Sequence, residues 1–184
     1  MRPAIFLDRD GVLNRIVERD GVAASPRTPD ELVLEADAAS ALAELRILGF
    51  PLFVVTNQPD IRRGLMTDAA LDAIHAKLAG LLAVDEILAC RHDNADDCAC
   101  RKPKPGLLVD LAWRHDIDLA GSWMIGDQDR DIACGRAAGC ATILLARPYN
   151  SGALAGADHT VASLSQAIPA IANAARQRAG TEAG

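Results

Sequence analysis

Ala4-Ile5-Phe6-Leu7-Asp8-Arg9-Asp10-Gly11-Val12 is an unbroken apolar run that stops at two acids one residue apart. A continuous run, rather than an alternating one, is the signature of a strand buried on both faces of a parallel sheet. Working outward, further apolar runs of this kind fall at 51–55, 85–89, 122–125, 141–145 and 159–161. Helical patterns lie between them. Residues 37–48 set Ala38, Leu42, Leu45 and Leu48 on one face, with Gly49 as a stop. Thr67 suits the cap of a helix reaching about Leu82, with Leu71, Ile74, Leu78 and Leu81 as its stripe. Pro105 suits the first turn of a helix reaching about His115, and residues 129–138 read as a helix ended by Gly139. Ser163 and Gln166 have capping-box spacing, opening a last helix at Leu164 that Pro169 interrupts. The small, polar tail after Ala179 is expected to fray. This alternation predicts an α/β fold: a three-layer, Rossmann-like parallel sheet with helices on both faces. The expectation is one domain over residues 1–184, with no inserted cap domain. Residues 14–35 and 90–104 read as irregular, and loops of that length in a compact domain tend to be functional.

Composition narrows the function. Half of the 184 residues are hydrophobic and 24% are charged, which excludes wholesale disorder. No apolar run approaches the roughly 18 residues needed to cross a bilayer. The apolar stretch near Met1 is too short for a signal peptide, so a cytoplasmic protein without membrane contact is expected. A net charge of −6 and only 3% aromatics argue against a nucleic-acid partner.

In open α/β sheets ligands bind at the carboxyl ends of the strands, and each unusual polar cluster here follows a strand. Asp8 and Asp10 follow the first; mutually repelling carboxylates need a cation or a shared proton between them. Thr56, Asn57 and Gln58 end the second. Arg101-Lys102-Pro103-Lys104 precedes a helix N-terminus, which favours anions. Asp127, Gln128, Asp129 and Asp131 follow the fourth. Each has an ordinary reading as turn, cap or solvated surface. Gathered at one edge, the acids fit a hard cation such as Mg²⁺. Lys102 and the cation would neutralise a phosphoryl group, while one carboxylate attacks phosphorus and another donates a proton.

Cys90-x-His92-x5-Cys98-x-Cys100 is a second constellation. Three thiolates and an imidazole suit tetrahedral Zn²⁺, and four protein ligands leave no open position, so the zinc is expected to be structural. The loop ends directly at Arg101 and Lys102, so fixing it would preorganise those cations. Cys134 and Cys140 read as core, and His75, His115 and His159 as residues without a catalytic role because none adjoins a motif.

From about Ile5 to Val161 the sequence resembles the haloacid dehalogenase superfamily, and within it the small histidinol-phosphate and heptose-bisphosphate phosphatases. Asp8-Arg9-Asp10-Gly11, Thr56-Asn57-Gln58, Arg101-Lys102-Pro103 and Gly126-Asp127 carry the likeness. It implies Asp8 as nucleophile and Asp10 as general acid and then base. It implies Mg²⁺ held by the Asp8 carboxylate, the Asp10 carbonyl and Asp127. Thr56 and Lys102 would bind the phosphoryl group, with Asn57, Gln58, Arg63, Arg101 and Gln128 on the substrate. Asp131 would hold Lys102. The zinc cluster recurs in that family, where it anchors a loop.

Ile61-Arg62-Arg63-Gly64 and Lys104-Pro105-Gly106-Leu107 are similar to the heptose branch, and Arg101, Lys104 and Arg63 would suit a sugar bisphosphate. Pro59-Asp60, Arg91 and the 15–27 loop depart from that branch. The reading is therefore a monomeric, Mg²⁺-dependent phosphatase removing the 7-phosphate of a heptose 1,7-bisphosphate. The alternatives are a histidinol-phosphate or other small-molecule phosphatase, and a non-enzymatic phospho-receiver module with a long-lived aspartyl-phosphate.

Overall fold

A computed structural model describes residues 1–150 and 156–182. The apolar runs become six parallel strands. They are β1 (Ile5–Leu7), β4 (Leu52–Asn57), β5 (Glu86–Cys90), β6 (Trp123–Gly126), β7 (Ala141–Leu145) and β8 (His159–Val161). A short hairpin of β2 (Val17–Arg19) and β3 (Val22–Ala24) follows β1. The helices are α1 (Ala38–Ile47), α2 (Asp68–Leu81), α3 (Gly106–His115), α4 (Asp129–Ala138) and α5 (Ile168–Glu182).

The sheet order is β5-β4-β1-β6-β7-β8, so the chain runs outward from β1 to one edge and then from β6 to the other. The reversal falls beside β1, whose Leu7 faces Val54 on one side and Ile125 on the other. Ligand crevices in doubly wound sheets open at such a point. Alternation along β1 sorts the core into two layers. Ile5 and Leu7 join the cluster that holds residues of α1, α2 and α5, among them Leu42, Ile74 and Ile171. Ala4 and Phe6 join the cluster of Leu108 and Leu111 from α3 and Cys134 from α4. Burying each large aliphatic side chain contributes about 1.5–3 kcal/mol. Cys134 and Cys140 are buried free thiols, as expected.

Several expectations need correction. Leu48 and Leu81, placed on the buried stripes of α1 and α2, are 39% and 52% exposed. Leu48 follows the last residue of α1 and Leu81 is the last of α2, where the stripe runs past the edge of the core; Ala41 takes the buried place on α1. No capping box forms at Ser163. The Gln166 side chain accepts from the Ala162 N–H, a 3₁₀ turn spans Ser165–Ala167, and α5 starts at Ile168. Pro169 is then in the first turn, where no intrahelical donor is missed. The backbone of α5 continues through Glu182, into the tail expected to fray; residues 183–184 lie outside the described ones. Thr67 caps α2 as expected, its hydroxyl accepting from Ala70 N–H at 3.1 Å.

The 14–35 stretch is not structureless. Asp20 and Gly21, both with positive φ, form the two-residue turn between Arg19 and Val22. An Asp-Gly pair in this position is the sequence signal of a tight hairpin. The hairpin forms one wall of the cleft over the carboxyl end of β1.

Candidate active site

Three strand ends and one loop supply the site. Asp8 follows β1, Thr56 and Asn57 close β4, and Asp127 follows β6; Lys102 comes from the loop between β5 and α3. Lys102 is buried with its Nζ 2.9 Å from Asp8 Oδ1, 2.6 Å from Asp131 Oδ1 and 2.8 Å from the Val55 carbonyl. Burial disfavours its charge, but Asp131 and Asp8 outweigh that and raise its pKa, so it is a permanent cation. Asp8 moves the other way from an ordinary acid. Burial lifts its pKa to about 7, against the pull of Lys102 and with the push of Asp131, Asp127 and Asp10.

Asp8, Asp127 and Asp131 each bring a carboxylate oxygen within 4.8 Å of the others. One lysine against three buried acids leaves negative charge uncompensated. Asp127 Oδ2 accepts from Tyr149 Oη at 2.7 Å and Gln128 Nε2 at 3.2 Å. Its Oδ1 is buried with no hydrogen-bond partner among the described residues. An orphaned buried carboxylate oxygen beside another acid is the donor set of a hard divalent cation, so the residues fit Mg²⁺. Space here is tight: a Cβ on Gly11 would lie 2.3 Å from Asp127 Oδ2, and one on Gly126 would lie 2.1 Å from Asp131 Cβ.

Asp10 has a different environment. Its carboxylate accepts from Arg9 Nε and Nη2, Asn14 Nδ2, Ser25 Oγ and Gln58 Nε2, at 2.7–3.0 Å. Burial raises its pKa, but the Arg9 charge and these donors prevail and hold it below the ordinary value. Gln58, expected on the substrate, is fully buried and bridges Asp10 to Thr56 from beneath. Asn57 lines the cleft, with its amide bonded to the Lys102 backbone in both directions, at 3.0 and 3.1 Å.

The cleft at Asp8 has a volume of about 400 Å³. A second hollow of about 560 Å³ shares the hairpin wall, Asn57 and Arg130 with it, and Arg19, Arg27, Arg63, Arg101 and Arg130 line it. Lys104, expected as a third substrate cation, is instead paired with Asp97 at 2.5 Å; Arg130 takes that place in the hollow. Asp60 lies 2.7 Å from Arg27 and ties the loop after the hairpin to the end of β4.

The four atoms Cys90 Sγ, His92 Nδ1, Cys98 Sγ and Cys100 Sγ converge within 4.8 Å. Burial and the neighbouring thiols push Cys100 up to about 12, and burial raises Cys90, while at Cys98 burial is outweighed by hydrogen bonds from Cys100 and Cys90, which lower it. Three sulfurs and one imidazole nitrogen suit zinc. The loop they close grips the hollow's cations: Asp93 holds Arg63 through two bonds of 2.7 and 2.8 Å, and Asn94 and the His92 carbonyl hold Arg101.

A family model described as HAD-hydrolase-like matches residues 99–167. The D-glycero-β-D-manno-heptose-1,7-bisphosphate 7-phosphatase of Bordetella bronchiseptica is 41% identical over 146 residues, covering 77% of this chain and 79% of that one. The enzyme of that name from Pseudomonas aeruginosa is 38% identical over 149 residues, covering 78% and 81%. The chain belongs to the HAD-like phosphatases. A crystal structure of the D,D-heptose 1,7-bisphosphate phosphatase of B. bronchiseptica, complexed with magnesium and phosphate, superposes with a TM-score of 0.78 at 36% identity. The match covers 97% of this phosphatase and 99% of that chain.

The sequence reading thus finds Asp8, Thr56, Lys102, Asp127 and Asp131 in one place. It missed Ser25 and Tyr149, which bond to Asp10 and Asp127 from segments without a motif. It also missed His75, set aside as adjoining no motif: Nε2 lies 3.2 Å from Arg9 Nη1, in the first motif.

Proposed function

We propose that this phosphatase removes the 7-phosphate of D-glycero-β-D-manno-heptose 1,7-bisphosphate through an aspartyl-phosphate on Asp8. The observation that carries the sugar assignment is the arginine-lined hollow joined to the acid cleft. A molecule with phosphates at both ends needs one cationic site for the reacting group and a second for the group that stays. The names of the relatives point the same way.

Asp8 and Asp127, with the Asp10 carbonyl, would hold Mg²⁺, which keeps Asp8 ionised and offsets phosphoryl charge. Asp8 attacks phosphorus, and the bond from phosphorus to the sugar oxygen breaks. Lys102 and Thr56 steady the transferring oxygens, and Asp10 gives its proton to the leaving oxygen. The phosphoryl dianion beside Asp10 raises its pKa toward that task, since like charge favours the protonated acid. Asp10 then takes a proton from the water that releases phosphate. Arg63 and Arg101 face the 1-phosphate, oriented by the zinc loop. The hairpin walls the cleft, and no cap domain is inserted among the described residues. All these groups come from one chain, which supports action as a monomer. A cluster of free cysteines kept as metal ligands rather than disulfides favours the reducing cytoplasm.

Phosphate release from heptose 1,7-bisphosphate and from histidinol phosphate, each with and without Mg²⁺, tests the reading. Higher kcat/KM on the bisphosphate, dependent on Mg²⁺, is expected. Equal or reversed rates would remove the sugar assignment. A stable phosphoprotein without turnover would favour a phospho-receiver.

A further inference from the structure

Arg9 is fully buried between the two acids of the first motif. Its Nε and Nη2 form a fork on Asp10, each at 3.0 Å. The remaining terminal nitrogen, Nη1, points to His75 Nε2 at 3.2 Å. A guanidinium has no acceptor, so Nε2 must accept, and the ring is neutral with its proton on Nδ1. Burial and the Arg9 charge both favour that neutral form, lowering the His75 pKa to about 4. His75 is half-buried on α2, next to Ile74 in the core. The contact therefore joins a packed helix to the loop after β1.

We propose that His75 is a positioning residue for Asp10, acting through Arg9. Five donors converge on the Asp10 carboxylate, and only the Arg9 fork grips both oxygens at once. A fork fixes the carboxylate plane only when its own plane is fixed. Two bonds on one edge leave the guanidinium free to tilt about them; a third bond on Nη1 stops that tilt. Without His75 a buried N–H loses its acceptor, and Arg9 turns or admits water to satisfy it. The Asp10 oxygen that must meet the leaving oxygen then loses its aim.

This inference rests on the acid–base role of Asp10 given above. The test uses His75→Ala, His75→Gln and, in parallel, Asp10→Asn, all in the full chain with its metals. On an alkyl phosphate turned over by the wild type, His75→Ala should lower kcat roughly 10–100-fold with little change in KM. With 4-nitrophenyl phosphate the leaving group needs no proton, so the first turnover should keep its rate and appear as a burst. The Gln variant supplies an acceptor for Nη1 and should restore most of kcat. An unchanged kcat for His75→Ala overturns the proposal. So does equal slowing of both first turnovers, or a Gln variant as slow as the Ala one. If Asp10→Asn itself keeps full alkyl-phosphate turnover, the role of Asp10 fails, and that failure is read separately.

Discussion

Lys102→Met removes one positive charge from among three buried acids and leaves a stem of similar length. Asp8 and Asp131 lose a partner at 2.9 and 2.6 Å. Breaking a buried pair from one side costs about 3–5 kcal/mol. For a chain of this size each kcal/mol moves Tm by roughly 2–4 °C, so a fall between about 6 and 20 °C is expected. The loss should depend on pH. Asp8 already has its pKa raised by burial to about 7 while Lys102 pulls it down; without the lysine it rises further. An acid whose folded pKa exceeds its unfolded value of 3.8 binds its proton more tightly when folded. Its contribution is fully present below the unfolded value and is lost as pH rises through the folded one. The variant should therefore lose less at pH 5, where Asp8 is neutral, than at pH 8. Scanning calorimetry in Mg²⁺-free buffer, with zinc retained, measures both. An equal loss at the two pH values, or a larger loss at pH 5, would refute the assignment of Lys102 as counter-charge to Asp8.

Asp8→Asn should abolish phosphate release, yet its Tm in Mg²⁺-free buffer at pH 8 should not fall below wild type. It removes an acid whose ionisation burial opposes; residual turnover near the wild-type rate would show that the nucleophile lies elsewhere. Tyr149→Phe removes one of two donors on Asp127 Oδ2 and should raise the Mg²⁺ concentration for half-maximal activity roughly 10-fold or more. An unchanged Mg²⁺ titration would show that Tyr149 does not orient the ligand. Cys98→Ser should lower zinc per chain in elemental analysis and lower Tm. It should also raise KM for a bisphosphate more than for a monophosphate, because Arg63 and Arg101 lose the loop that holds them; equal KM changes would uncouple zinc from the second hollow.

The strands and the acid cleft were legible because both follow from local chemistry. The run 141–145 matches β7 end to end because Thr142–Leu145 are buried inside the sheet and read as a nearly continuous apolar stretch; 159–161 matches β8 at the sheet edge, where His159 and Thr160 are exposed. Motif residues were legible through their place after strands. What hid was set by tertiary geometry. Gln58 stands two residues past Thr56 and just beyond β4, yet its side chain is fully buried, bonded to Asp10 and Thr56 rather than open to the cleft. Tyr149 and Ser25 belong to segments whose relation to the site appears only once the chain has folded back over β1. The hairpin had a readable signal in Asp20-Gly21, but Val22–Ala24 is too short and too exposed to stand out as a strand. His75 shows the limit most sharply. Its spacing marks only a position beside the core stripe of α2, and nothing nearby reveals that Arg9 reaches it.

Asp8 and Asp10 differ by two positions, and their surroundings drive them apart. Asp8 has a buried lysine that it must share with Asp131, and burial prevails: its carboxyl is raised. Asp10 has an arginine fork and three neutral donors to itself, and they prevail over burial: its carboxyl is lowered. Identical side chains on one turn can take different parts in a reaction only if their environments separate them in this way. The separation comes from Arg9, whose guanidinium bonds to Asp10 and His75, while only its backbone N–H reaches Asp8 among the described residues. Exchanging the two environments would require moving a guanidinium through the packed end of β1. The proposed division between attacking group and proton carrier thus rests on the different neighbours that Asp8 and Asp10 meet once the chain has left β1.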